Sequence, residues 1–428
     1  MVKTGYKQTE IGILPDAWDT ITFENCFTIL PNNTLSRAEL NYNSGEVQNI
    51  HYGDILVKFP AVLDCSAEGL PYINAENTTK DSKGFLRDGD LIVADTAEDV
   101  IVGKSTEVIG IGERKIVSGL HTIPCRPKDA EMFAPGWLGY FINHSTYHDQ
   151  LVPYITGIKV YSISKSAISG TVIAVPKKEE QTEITAALSD IDALIANLEK
   201  LIAKKKDIKQ GAMQELLSGS HRLEGFNTPW KSYRVGNIGI FYSGLTGKSK
   251  ADFGTGSARY ITFMNVLANS IIDIRKLESV RVLDGESQNA VEKYDLFFNT
   301  SSETPEEVGM CAVLTEDLED TYLNSFCFGF RVTEPEMHPL FLSYYFNSQE
   351  GRKIMGVLAQ GATRYNLSKS FFSDTVITVP EKCEQIAIAT ILSDMEDEID
   401  QLHTKLDKCK YIKSGMMSEL LTGRIRLL

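Results

Sequence analysis

Two short runs end in the Gly-Lys-Ser of a phosphate-binding loop: Gly103-Lys104-Ser105 and Gly247-Lys248-Ser249. The full motif, G-x-x-x-x-G-K-[ST], needs an earlier glycine so that the backbone can wrap the phosphates. Glu98 and Tyr242 stand in that place. Phe253-Gly254-Thr255-Gly256 has the glycines of the cofactor turn in adenine methyltransferases. The chain has no [DN]-P-P-[YF] run to grip the target amino group, and the preceding Lys248–Asp252 is too polar for the strand such a turn follows. Glu113-Arg114-Lys115, with Asp95 and Asp99 upstream, offers the carboxylates of a Mg²⁺-dependent nuclease. The second half of the chain has no counterpart, so these residues read as surface charge. His144 and His148 lie one helical turn apart, as zinc ligands can. No cysteine or acidic pattern surrounds them, and they read as surface histidines. There is no G-x-S-x-G elbow. The sequence therefore points to a chain with no catalytic residue, no metal and no cofactor of its own. A self-contained DNA adenine methyltransferase or nuclease with an unrecognised site is the alternative.

The elements that would position any site are dominated by a duplication. Val175–Leu223 returns as Val379–Leu427 at an offset of 204 without a gap, with 23 identities in 49 positions; chance would give about three. A period this long marks a duplicated domain, not a solenoid unit. Each copy reads as a long helix. Pro176 or Pro380 opens it, acids follow (Glu179 and Glu180; Glu381 and Glu384), and Gly219 or Gly423 closes it. Ile184, Leu188, Ile191, Ile195, Leu198 and Ile202 alternate at spacings of four and three. Ile388, Leu392, Met395, Ile399, Leu402 and Leu406 repeat the pattern. Both are coiled-coil seams, and a polar helix with so narrow a stripe needs a partner. The obvious partner is the other copy. Gly211 and Gly415 lie inside the helices, as tolerated imperfections or as points of close helix approach. Lys204, Lys205, Lys206 and Lys209, matched by Lys408, Lys410 and Lys413, form a solvated face or a contact for phosphate or an acidic partner.

The boundaries that follow are a first domain at 1–176, a central spacer helix at 177–223, a second domain at 224–380 and a C-terminal spacer helix at 381–428. Each domain is entered through a polar, turn-rich run ending in Trp18 or Trp230. Short β-type runs dominate inside: Thr20–Phe23, Asp54–Phe59, Asp90–Ala94, Ile116–Cys125, Arg259–Phe263, Leu296–Asn299 and Phe326–Val332. One helix is expected late in each domain, at Gly136–His148 and Pro339–Met355. The fold class is α+β: two similar globular domains separated by two long helices pairing as an antiparallel coiled coil. Asp90–Thr96 parallels Asp295–Thr300, and Gly157–Ser166 aligns with Gly361–Ser370. Elsewhere the domains diverge, which suits two related but non-identical ligands.

Bulk properties narrow the classes. The net charge is −14, split as −7 for 1–176 (14 basic, 21 acidic), 0 for 177–223 (8 and 8), −5 for 224–380 (14 and 19) and −2 for 381–428 (7 and 9). That argues against a generic nucleic-acid coat protein, and any DNA contact must be local. No apolar run reaches the ~18 residues of a membrane span. The start, MVKTGYKQTE, lacks an apolar signal core, so export is not expected. Seven cysteines without a C-x-x-C fit free thiols in a reducing cytoplasm.

The order domain, helix, domain, helix carries further marks: Val-Pro ahead of Glu180-Gln181 and Glu384-Gln385, the exits Leu216-Leu217-Ser218-Gly219 and Leu420-Leu421-Thr422-Gly423, the run Ser301-Ser302-Glu303-Thr304-Pro305, and Gly361-Ala362-Thr363-Arg364. Together they resemble the specificity subunit of a type I restriction–modification system, over the whole chain. The first domain departs from the last two marks, with Ala97-Glu98-Asp99 and Gly157-Ile158-Lys159. The resemblance implies two target-recognition domains, each reading one half of a bipartite site in double-stranded DNA. It implies helices that set the spacing and dock two methyltransferase subunits, and a translocating nuclease subunit that joins for restriction. S-adenosylmethionine, ATP and Mg²⁺ would belong to those partners, and none to this chain. The DNA contacts expected are Lys159, Tyr161, Ser162 and Lys165 in the first domain and Thr363, Arg364, Asn366 and Lys369 in the second. The bland reading is that these segments only lead into the helices.

Overall fold

A computed structural model describes residues 4–74, 76, 82–361 and 363–427. The chain divides into two compact units, Met1–Leu198 with Lys405–Leu428, and Glu199–Thr404. Each unit holds one globular domain and a stretch of both long helices, which run over Lys178–Ser218 and Lys382–Leu420. Among the described residues no helix is long and apolar enough to cross a membrane.

The first unit is built on a five-stranded sheet in the order Phe27–Ile29, Thr122–Pro127, Leu91–Ala94, Ser105–Ile109, Val62–Asp64, antiparallel except for its last pair. A four-stranded sheet stands beside it, ordered Lys115–Ser118, Val47–Ile50, Tyr72–Ile73, Leu40–Asn41. The second unit repeats the plan with the antiparallel order Gly239–Ser243, Cys327–Val332, Leu296–Asn299, Cys311–Val313. Its smaller sheet is Glu278–Val280, Phe253–Ile261, Thr321–Leu323. Mixed sheets with short helices packed against them make an α+β fold.

Several expected elements differ; Ile116–Cys125, for one, is two strands, Lys115–Ser118 and Thr122–Pro127, with a turn between them. Asp54–Phe59 is not a strand; Tyr52–Val57 is a helix. Its apolar run misleads, because the His51 ring caps the helix by accepting from Gly53 N, while Ile55 is buried and Val57 is 84% exposed. Phe263 is no longer in a strand but opens the helix Phe263–Ala268, capped by Thr262. Each late helix is broken in two. Trp137–Ile142 is followed by Ser145–His148, capped by His144, and Pro339–Asn347 by Gln349–Leu358, capped by Ser348. In both, an extended cap residue interrupts the helical backbone and satisfies the next turn's N–H groups.

Both long helices end where a glycine adopts the left-handed conformation, Gly219 at φ +74° and Gly423 at φ +66°. Along the seam Ile184, Leu188, Leu198, Ile202, Ile388, Leu392, Ile399 and Leu406 are buried; Ile191, Ile195, Met395 and Leu402 are half-buried. In the first unit Ile184 and Leu188 share a core with Leu420 and Leu421. In the second, Ile388 and Leu392 share one with Met213, Leu216 and Leu217. The start of one helix thus meets the end of the other in each unit, which is antiparallel packing. Each buried leucine or isoleucine stabilises it by about 1.5–3 kcal/mol.

A Cβ at Gly211 or Gly415 would meet nothing within 4 Å, so neither glycine marks a close helix approach. The lysine cluster has another use as well. Lys205 pairs with Glu398 (2.7 Å) and Lys209 with Glu396 (3.1 Å) in the second unit, and Lys413 with Asp192 (2.6 Å) in the first. These side chains tie helix to helix.

Candidate nucleic-acid interface

The repeated residues first explain how each domain is fixed to its helices. Glu180, its side chain fully buried, accepts from Trp18 Nε1 (2.9 Å) and from Arg426 Nη2 (2.7 Å). At the offset of 204, buried Glu384 accepts from Arg222 Nε and Nη2, each at 2.6 Å. The Arg222 guanidinium lies 5.9 Å from the Trp230 ring. A Cβ on Gly219 would sit 3.1 Å from Trp230, and one on Gly423 3.1 Å from Trp18. Both tryptophans therefore staple a domain to the helices. Gln181 accepts from Ala134 N and donates to Met132 O and Pro176 O; Gln385 does the same with His338 N, Glu336 O and Pro380 O. Tyr140 donates to Asp192 and Tyr344 to Glu396, 2.9 and 2.8 Å away. Burial and the adjacent carboxylate push both phenols well above their ordinary range.

In each unit this scaffold carries a short antiparallel strand pair beside an exposed turn. In the second, Ser301–Ser302 pairs antiparallel with Tyr365–Leu367, matching Ser301 to Asn366 and Ser302 to Tyr365. The run Ser301–Pro305 and the segment containing Thr363 and Arg364 are thereby brought to one patch. In the first unit Thr96–Ala97 pairs with Tyr161–Ser162 in the same way, matching Thr96 to Ser162. The residue ahead of each short strand is a crossing point. Asp95 N donates to His121 O and its carbonyl accepts from Ile163 N; Thr300 N donates to Phe326 O and its carbonyl accepts from Leu367 N.

Lys159, Lys165, Thr363, Arg364 and Asn366 are exposed, and Tyr161, Ser162 and Lys369 are half-buried. Lys369 Nζ lies 5.6 Å from the Phe328 ring. Ala362 lies outside the described residues. The turns that carry these tips share a backbone device. Gly157 (φ +118°) and Gly361 (φ +143°) each place the would-be Cβ about on a carbonyl, at 1.9 Å from Val160 O and 2.0 Å from Arg364 O. Only glycine fits there. Lys159 in one unit thus corresponds to Thr363 in the other, and Val160 to Arg364.

The catalytic fragments have other work. Lys104 donates to Leu56 O and Ser105 is buried. Lys248 donates to Arg281 O and Glu286, while Ser249 and Asp252 cap the short helix Lys250–Asp252. Gly254 and Gly256 lie in a bulged strand. His144 caps a helix and His148 meets Val102 O. Among the described residues no group of His, Cys, Asp and Glu could hold a metal. The seven cysteines are free thiols.

The family profile described as the type I restriction modification DNA specificity domain matches residues 40–209 and again 227–410. The chain belongs to this family. It is a type I restriction–modification specificity subunit, of a family devoted to DNA recognition. A relative from Methanocaldococcus jannaschii, assigned as the specificity subunit of the MjaX type I restriction enzyme, is 22% identical across 99% of this chain and 97% of its own length. The fold is shared with the S subunit of a type I restriction–modification system from M. genitalium, at TM-score 0.57 and 14% identity, covering 94% of this chain and 96% of that one. A second solved chain, described under complex assembly and conformational transition of the type I R-M system, gives TM-score 0.56 and 14% identity over 96% and 99%.

Proposed function

We propose that each globular domain reads one half of a bipartite DNA site, through the patch formed by Thr96–Ala97 with Lys159–Lys165 in one unit and Ser301–Ser302 with Thr363–Lys369 in the other. The observation that carries this reading is a constant scaffold under variable tips. The Gln181 and Gln385 clasps, the Asp95 and Thr300 crossings and the glycine turns are the same in both units, while Lys159, Val160 and Ser162 give way to Thr363, Arg364 and Asn366. Two readers of different half-sites need that combination. Lys159, Lys165, Arg364 and Lys369 fix register on phosphate; Tyr161, Ser162, Thr363 and Asn366 face base edges. The long helices set the distance between half-sites and dock two methyltransferase subunits, which supply catalysis with S-adenosylmethionine in the cytoplasm. A nuclease subunit with ATP and Mg²⁺ joins for restriction. This chain contributes recognition and no catalytic residue.

Exchange of residues 224–380 for the corresponding domain of another specificity subunit tests the reading. Mapping methylated sites in cells that express the complex should show one half-site replaced and the other kept. A change in both halves would remove the idea of independent readers.

A further inference from the structure

The crossing residues Asp95 and Thr300 each hold a ring whose place in the fold is the same although its chemistry is not. His121 immediately precedes the strand Thr122–Pro127, and Phe326 immediately precedes Cys327–Val332. The carbonyl of each accepts from the crossing residue's N–H, at 3.1 Å from Asp95 and 2.9 Å from Thr300. Thr300 Oγ1 adds a second bond to Phe326 O at 2.8 Å. The next residue along, Thr96 or Ser301, is the one paired to Ser162 or Asn366. Each ring therefore stands at the edge of the patch assigned above to DNA.

Neither ring behaves as a core residue. Phe326 is 59% exposed, and the His121 side chain is 46% exposed. His121 also adopts φ +55°, a left-handed backbone that is uncommon outside glycine. Residues in such conformations persist only where the surrounding structure fixes them, and they cluster at functional sites. The His121 ring is aimed by Thr96 Oγ1 at 3.2 Å from Nδ1, by Asp95 Oδ1 at 3.4 Å, and by an edge-on contact with Tyr52 at 5.2 Å between centroids.

We infer that His121 and Phe326 are base-contacting residues, one for each half-site, so that the two domains differ in chemistry at a single structural position. This rests on the reading of the domains as DNA readers. An imidazole donates to or accepts from base edges. A phenyl ring has no hydrogen bond to give a phosphate, and its attraction is to a thymine methyl or to the face of an unstacked base. One half-site thus carries a position chosen by hydrogen bonding, and the other a position chosen by apolar contact.

The test uses the full chain with its methyltransferase subunits in cells, and genomic DNA as the probe. Methylated sites are mapped for the wild type and for Phe326→Ala, Phe326→Leu and His121→Ala. Phe326→Ala should relax one or two adjacent positions of one half-site, with roughly tenfold loss of discrimination there. His121→Ala should do so in the other half-site. The unaffected half reports folding within each variant. Phe326→Leu keeps apolar volume and should relax the same positions less. Motifs unchanged in Phe326→Ala and His121→Ala, or relaxed equally in both halves, would overturn the inference. A wild-type motif that is not bipartite would instead overturn the reading of two DNA-reading domains.

Discussion

Glu107 shows how one residue can distinguish two units of the same design. Its carboxylate is buried and accepts from Gly136 N at 2.7 Å and Gly139 N at 2.9 Å. The strand around it is located by Asn143, which clasps Ser105 as Asn347 clasps Cys311. Two residues beyond those clasped positions stand Glu107 and Val313. Burial pushes the Glu107 carboxyl up from 4.5 to about 7, against the backbone N–H groups of Gly136, Gly139 and Leu138, which favour its charge. The folded state therefore binds the proton more tightly than the unfolded state. The stability this adds is full below pH ~4.5 and is lost as pH rises towards 7, an effect on the order of 3 kcal/mol. Thermal unfolding followed from pH 4.5 to 8 should show the first unit losing stability over that interval. Glu107→Gln should flatten the slope; a slope unchanged in that variant would assign it to another group. Nothing in the sequence marks Glu107, which sits in an unremarkable Ser-Thr-Glu-Val-Ile run. The correspondence of His121 with Phe326 is equally hidden, because imidazole and phenyl share no chemistry. It surfaces only when the alignment of Asp90–Thr96 with Asp295–Thr300 is carried onward past two further strands to the residue before Thr122–Pro127.

At the scale of elements, the helix starts carry the strongest sequence signal and also the strongest mechanical logic. Glu180 and Glu384 are buried carboxylates, and each is paired with an arginine just past the far end of the other long helix. Removing one partner leaves a charge without compensation, at a cost on the order of 3 kcal/mol. Arg222→Leu should therefore lower the denaturation midpoint of the second unit. Adding Glu384→Leu should recover much of the loss, and a double-mutant cycle measures the coupling. A coupling near zero would mean that the Trp230 and Gln385 contacts suffice without the pair. The helices, their seam and their glycine ends were legible because period, caps and duplication all agree. The helix Tyr52–Val57 was not, since its cap is a histidine ring and its apolar run resembles a strand. The breaks at His144 and Ser348 were hidden for a related reason: they are set by extended cap residues that interrupt otherwise helical patterns.

At the scale of the whole molecule, an acidic chain that recognises DNA must confine its contacts to small patches and let geometry supply selectivity. The two patches are bound to the helices by the same clasps, so the length of the helices becomes a recognition parameter in the function proposed here. A heptad inserted between Lys200 and Leu201, and another at the offset of 204 between Thr404 and Lys405, preserves the 3.5-residue seam. Each insertion adds about 10 Å of helix at 1.5 Å per residue. At about 3.4 Å per base pair, that corresponds to roughly three base pairs. The methylated motif of the double-insertion chain should keep both half-sites and gain about three unspecified positions between them. Single insertions should misalign the seam partners and abolish methylation. A double-insertion chain that methylates with an unchanged gap would show that the spacing is imposed by the partner subunits and not by these helices.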